Sequence, residues 1–133
     1  MFRRVLIANR GEVAARVART CKKLGIQAVA VASPADRDQA WLADVHEVVG
    51  LGGNRAAESY LDPHALVEVG LRTGCSAVHP GWGFLSENAA FATMCASAGL
   101  SFVGPSPEHL RAFGDKAVAR STMAALGMPI IPG

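Results

Sequence analysis

Short aliphatic runs alternate with amphipathic stretches along most of this chain. RRVLIA, residues 3–8, is aliphatic enough on both sides to predict a strand buried inside a parallel sheet. Gly11 and Glu12 then open EVAARVARTCKKLG, a predicted helix with Val13, Val17, Cys21 and Leu24 on one face. Arg16, Arg19 and Lys23 lie elsewhere on it, and Gly25 is the stop. QAVAVA, reaching Ala32, predicts the second strand and SPADRD a polar turn; DQAWLADV predicts a short helix and EVVGL a third strand. GLGGNRAAESYLD is glycine-rich loop, closed by an Asp62-Pro63 pair that suits a helix N-cap and first helical position.

The alternation continues with the helix PHALVEVGLRTG, the strand SAVHP, and a helix from Asn88 to Ala98 stopped by Gly99. SFVG predicts a strand, PEHLRAF a short helix and DKAVARSTMAALG a last helix ending at Gly127. The tail MPIIPG carries a β-like pair, Ile130 and Ile131. Strands and helices in this rhythm predict an α/β fold, a Rossmann-like doubly wound parallel sheet with helices on both faces. Ligands of such sheets meet the loops at the C-terminal ends of strands, which singles out NRGE after the first strand and PGWGFLSEN after the fourth.

Composition narrows the function classes. At 133 residues the chain fits one domain able to bury roughly two-thirds of its unfolded surface. A formal net charge of +2, with basic residues in isolated pairs such as Arg3-Arg4 and Lys22-Lys23, argues against a nucleic-acid partner. Three cysteines, Cys21, Cys75 and Cys95, without CxxC spacing, indicate neither a disulfide framework nor a zinc site and point to a cytoplasmic location. VLIA is too short for a signal sequence, and no run of eighteen apolar residues exists to span a membrane.

Candidate chemistry rests on a few stretches. In ANRGEVAAR the helix start offers free amides beside Arg10, but one glycine is not GxGxxG and Glu12 repels a phosphate. A tight turn in which Gly11 avoids a clash is the favoured reading. GLGGN reads as a surface loop, Asp36 and Asp38 as turn or cap carboxylates, and His46, His64 and His109 as surface or helix-terminal residues. HPGWGFLSEN differs in kind. Pro80 makes His79 extended, Gly81 and Gly83 permit unusual backbone geometry or close contact, and Ser86 or Asn88 suits a helix N-cap. Two readings are open: a platform with an aromatic face for a flat ligand, or a loop anchored to the core by Trp82 and Phe84. In GDKAVAR, Asp115 suits a cap, and Lys116 in the first turn opposes the helix dipole unless an anion is shared between it and the amides.

The order of these motifs, IANRGEVAARVARTCKKLGI, ADRD, AESYLD, HPGWGFLSEN, FVGPSPE, GDK and MPIIPG, closely resembles the N-terminal domain of the biotin carboxylase component of biotin-dependent carboxylases, from Phe2 to Gly133. The resemblance implies a pre-ATP-grasp domain over residues 1–133, without the ATP-grasp lid and catalytic core. The complete ligase would use MgATP and bicarbonate to carboxylate biotin held on a carrier domain, for a carboxyltransferase that selects acetyl-CoA, propionyl-CoA, pyruvate or urea.

Carried over by residue, the resemblance implies that Lys116 contacts nucleotide phosphate and that Trp82 and Gly83 wall the biotin ring system. Arg16 and Arg19 would belong to a homodimer interface. Lys23 stands where relatives are often acidic, and Trp82 where tyrosine is commoner. No catalytic or metal-binding residue is expected in this chain, no cofactor is expected to bind it tightly, and no carboxylase activity is expected from it alone. A stand-alone interaction module that pairs with a full-length carboxylase is the alternative. A generic Rossmann dinucleotide binder is disfavoured by the missing GxGxxG.

Overall fold

The computed structural model describes residues 1–131; Pro132 and Gly133 of the closing MPIIPG lie outside the described residues. Five strands, β1 (Arg4–Ile7), β2 (Gln27–Ala32), β3 (Glu47–Gly50), β4 (Ala77–His79) and β5 (Ser101–Phe102), form one sheet in the order β3-β2-β1-β4-β5. Every pairing is parallel; β1 is central, with Leu6 opposite Val29 on one side and Val78 on the other. The predicted doubly wound α/β sheet is the observed one.

Side-chain alternation along β1 divides the core. Leu6 and Ala8 point to a large cluster with Val29, Val31 and Val78, covered by α2 (Pro63–Arg72) and α3 (Ala89–Ser97) through Leu66, Phe91 and Cys95. Ile7 points to the opposite face, where Ala28 meets α1 (Gly11–Lys23). Asp62 and Asn88 cap α2 and α3 by accepting backbone amides. α4 (Pro107–Gly114) packs on α3 and α5 (Lys116–Ala125) on α4, so the last two helices extend away from the sheet.

Four local expectations are corrected. The buried stripe of α1 is Ala14, Ala18 and Cys21; Val13 and Val17 are half-buried and Leu24 is exposed. Methyl side chains let the helix lie close over Ile7 and Ala28, whereas valine on that stripe would hold it off. DQAWLADV forms only a 3₁₀ turn, Ala40–Leu42, from which Trp41 packs against the small cluster. Gly11 is required by a φ of +60° and not by a clash, since an added Cβ there meets nothing within 4 Å. The β-like pair Ile130 and Ile131 lies in no strand.

The corrected face is testable. Ala18→Leu is expected to destabilise the chain by about 1–3 kcal/mol through overpacking. Val17→Ala, at the rim of the same helix, is expected to cost less than about 1 kcal/mol; urea unfolding of both variants measures the difference.

Candidate functional site at the switch point of the sheet

Because β1 has β2 on one side and β4 on the other, the winding direction reverses between β1 and β4. The loops leaving these two strands meet there. Asn9, two residues beyond β1 and only 2% exposed, donates its side-chain amide to the carbonyl oxygens of Pro80 at 2.6 Å and Trp82 at 2.9 Å. Its own oxygen accepts the Arg10 amide at 2.8 Å.

The loop that Asn9 holds is unusual in backbone. Gly81, Gly83 and Phe84 have φ values of +65°, +72° and +44°, all left-handed. The two glycines are needed for different reasons. A Cβ on Gly81 would fall 2.4 Å from Val13 Cγ1 and 2.8 Å from Asn9 Nδ2, so this residue lets the loop close on α1. A Cβ on Gly83 would meet nothing within 4 Å, leaving its backbone open.

Between the glycines Trp82 is 72% exposed. Phe84 leans on Tyr60, ring centroids 5.4 Å apart, and buried Leu85 fixes the loop to the large cluster. The fold thus separates the two residues that one sequence reading paired as anchors: Phe84 helps to hold the loop and Trp82 is presented. Asn88, not Ser86, caps the following helix.

A second network stiffens the same edge of the sheet. Asp36, just past β2, is buried and accepts from Arg10 Nε at 2.6 Å and Nη2 at 2.5 Å, from the Tyr60 hydroxyl at 2.6 Å and from Ser33 Oγ at 3.3 Å. The Tyr60 hydroxyl in turn accepts the buried Ser33 amide at 3.0 Å. The Arg10 guanidinium, 5.7 Å above the Tyr60 ring, holds the Asp36 carboxyl down at about 2 and is itself raised by that carboxylate. Asp36 is therefore the buried hub of a network, not a turn or cap carboxylate, and Arg10 is engaged by it rather than waiting beside a phosphate loop. Asp38 is exposed, as are His46, His64 and His109.

Other predicted residues are placed apart. Lys116 is exposed at the start of α5, but the amides of Ala117 and Val118 are already bonded to Asp115 at 2.8 and 3.1 Å. An anion there would meet the lysine ammonium without those amides. Arg16 and Arg19 are both exposed on α1, with Arg16 bonded to the Thr20 hydroxyl. Two open cavities flank Trp82. One, of about 590 Å³, is bordered by Val5, Val13, Val17 and His79; the other, of about 390 Å³, by Glu87, His109, Leu110 and Phe113 and reaching Gly114 but not Lys116.

The thiols take no part: Cys21, Cys75 and Cys95 are buried and free, and burial pushes each above its ordinary value, Cys95 to about 11. Among the described residues no three acidic, histidine or cysteine side chains converge as metal ligands, and no helix is long and apolar enough to cross a membrane. Asn9 and Tyr60 were not singled out from the sequence. Their signal was present in the motifs, since IANRGE, ADRD, AESYLD and HPGWGFLSEN are the segments that meet at this edge.

Two measurements check this geometry. Asn9→Asp keeps the shape but turns an oxygen toward two carbonyls, and is expected to lower stability to urea by about 3 kcal/mol. Asp36 is depressed on folding, so the stability it supplies is complete above about pH 4 and is lost as pH falls toward about 2. Urea midpoints taken down that range should show a loss of about 2 kcal/mol, with the corresponding slope missing in Asp36→Asn.

Residues 1–110 match the family described as biotin carboxylase, N-terminal domain. The chain is 50% identical over 133 residues to a biotin carboxylase of Halalkalibacterium halodurans, covering all of this chain and 29% of that protein. It is 51% identical over 130 residues to the mitochondrial methylcrotonoyl-CoA carboxylase subunit alpha of Oryza sativa subsp. japonica, covering 98% of this chain and 18% of that protein. Among solved structures it superposes on the biotin carboxylase domain of a single-chain bacterial carboxylase with a TM-score of 0.92 at 53% identity, covering 98% of this chain and 30% of that one. The biotin carboxylase domain dimer of Hydrogenobacter thermophilus 2-oxoglutarate carboxylase, in complex with MgADP, ADP and bicarbonate, gives 0.94 at 40% identity, covering all of this chain and 29% of that one. The chain thus spans less than a third of the length of these relatives, and corresponds to their N-terminal portion. A parallel sheet in this strand order, carrying HPGWGFLSEN on its switch-point loop and matched across its length by such relatives, belongs to the biotin carboxylase N-terminal domain family.

Proposed function

We propose that residues 1–133 serve as the N-terminal domain of an ATP-dependent biotin carboxylase and supply part of its biotin and nucleotide sites. The observation that carries this reading is Trp82: a 72% exposed indole held over the switch point by the Asn9 hydrogen bonds to Pro80 and Trp82, next to a Gly83 backbone with no side chain to obstruct approach. A flat, uncharged, bicyclic ring such as that of biotin fits this aromatic face with adjoining open backbone.

Lys116 is assigned to nucleotide phosphate. It is exposed, and its ammonium is suited to a phosphate even though the neighbouring helix amides are already used. The described residues do not fit magnesium, because no set of carboxylates converges. In this reading the metal ligands, the general base for biotin and the bicarbonate site belong to the ATP-grasp lid and core, with a biotin carboxyl carrier domain and a carboxyltransferase as further partners. One lysine and one aromatic face provide neither a base nor a Lewis acid, so the chain by itself is assigned no carboxylation activity.

Assembly is read from α1. Arg16 and Arg19 are both exposed on it, and the Hydrogenobacter thermophilus domain is a dimer, which supports a homodimer through this helix.

The test is a chimera in which this chain replaces the corresponding N-terminal segment of the Halalkalibacterium halodurans enzyme. Biotin-dependent ATP hydrolysis should be retained. Trp82→Ala should raise the KM for biotin about tenfold with little change in the KM for ATP, and Lys116→Ala should do the reverse by about tenfold or more. A folded chimera with no biotin-dependent turnover, or a Trp82→Ala variant with unchanged biotin KM, would overturn the assignment.

A further inference from the structure

Among the groups around the Trp82 loop, one hydrogen bond is titratable. The Gly81 amide donates to Nδ1 of His79 at 3.0 Å, closing a turn from the last residue of β4 onto the loop itself. Accepting this bond requires an unprotonated Nδ1, so the neutral ring carries its proton on Nε2. The other side-chain ties of the loop, Asn9 to Pro80 and Trp82, do not titrate. Gly81, Gly83 and Phe84, three of four consecutive residues, are left-handed; glycine enters this region freely and leaves it as freely, so the amide bond restricts a backbone that the Gly81 residue type does not.

We propose that His79 is a positioning residue for Trp82 and makes the loop respond to pH: the neutral ring holds the Gly81 turn, and a proton taken from solvent onto Nδ1 opposes two donors and releases it. The release is local, because Asn9 still holds the Pro80 and Trp82 carbonyls, and its effect is to loosen the placement of the indole between two fixed points.

The surroundings favour the neutral ring. His79 is half-buried at the edge of the larger cavity, bordered by Val5 of β1, Val13 and Val17 of α1 and Val103 beyond β5, and this desolvation lowers its pKa below the ordinary histidine value. The charged groups bordering that cavity are Glu12 and Arg16 of α1, of opposite sign. On the far side of Trp82 the second cavity brings Glu87 and His109. A histidine whose pKa is lowered on folding stabilises the fold above its unfolded value, near 6.5, and withdraws that contribution as the pH falls toward the folded one. The upper end of this range, near 6.5, lies well above the acid range in which Asp36 is protonated.

The proposal rests on the platform reading only for its consequence at the biotin site; the loop itself can be read without any ligand. In the full chain carrying Trp41→Phe, so that Trp82 is the sole tryptophan, emission and acrylamide quenching are followed from about pH 8 to pH 5 together with the Gly81 amide by NMR. The expected result is a single one-proton transition below the ordinary histidine midpoint, at which Trp82 becomes more quenchable. Gly81 amide protection, corrected for intrinsic exchange, should fall about tenfold in step with it. His79→Asn places an amide oxygen near the Nδ1 position as an acceptor for the same amide, and should hold the high-pH behaviour throughout. His79→Leu should show the low-pH behaviour at every pH, with far-UV circular dichroism confirming that both variants fold.

A transition that persists in His79→Asn would assign the titration to another group, His109 first, and overturn the proposal. So would a folded chain in which Trp82 and the Gly81 amide do not respond over this range. Failure of the biotin assay in the chimera would leave these readouts unaffected, so the two ideas fail separately.

Discussion

The side-chain amide of Asn9 is shared between two carbonyl oxygens that lie 71 and 73 residues away in sequence. It is the point on which the switch-point edge of the sheet depends. A parallel sheet leaves its strand ends as separate loops, each free to choose its own conformation. Here the first loop supplies two N–H groups, buried and therefore obliged to find partners, and the fourth loop supplies the oxygens. Neither loop can satisfy these groups alone. Their pairing fixes the distance between β1 and β4 beyond the point where ladder hydrogen bonds end, and sets the plane from which Trp82 projects.

The charged network beside it secures the other flank. Arg10, Asp36 and Tyr60 come from three segments, and the carboxylate at their centre collects donors from Arg10, Tyr60 and Ser33. A buried carboxylate so fully bonded is costly to disturb and holds its three donor segments in one arrangement. Its Tyr60 ring also carries Phe84, so the network and the aromatic loop share one side chain. Rigidity is what a presented indole needs, because an exposed aromatic on a mobile loop would give up ordering entropy on meeting a ligand.

The architecture away from this edge is uneven. α1 covers β1 and β2 through alanines, whereas Val5, His79 and Val103 border open space on the same side of the sheet. α5 has no buried residue and packs chiefly on α4. The larger core cluster lies under α2 and α3 and the smaller one under α1.

The sequence by itself determined the strand and helix rhythm, the parallel character of the sheet and the helix caps at Asp62 and Asp115, because these follow from local periodicity and short-range hydrogen bonding; the choice of Asn88 over Ser86 as a cap came from the structure. It also marked HPGWGFLSEN, since glycine on both sides of an aromatic is a local statement about backbone. What it did not determine were contacts between distant segments. The buried stripe of α1 keeps Cys21 but replaces Val13 and Val17 with Ala14 and Ala18, because closeness of approach, not total hydrophobicity, decides which face turns inward. Asp36 read as a turn carboxylate because its partners, Arg10 and Tyr60, lie 26 and 24 residues away. Gly81 and Gly83 read alike in sequence, yet only the tertiary structure separates them, by bringing Val13 and Asn9 against one and leaving the other open. Periodicity reports what a residue does to its own element; what stands opposite it is decided when the loops of different strands are brought to the same edge.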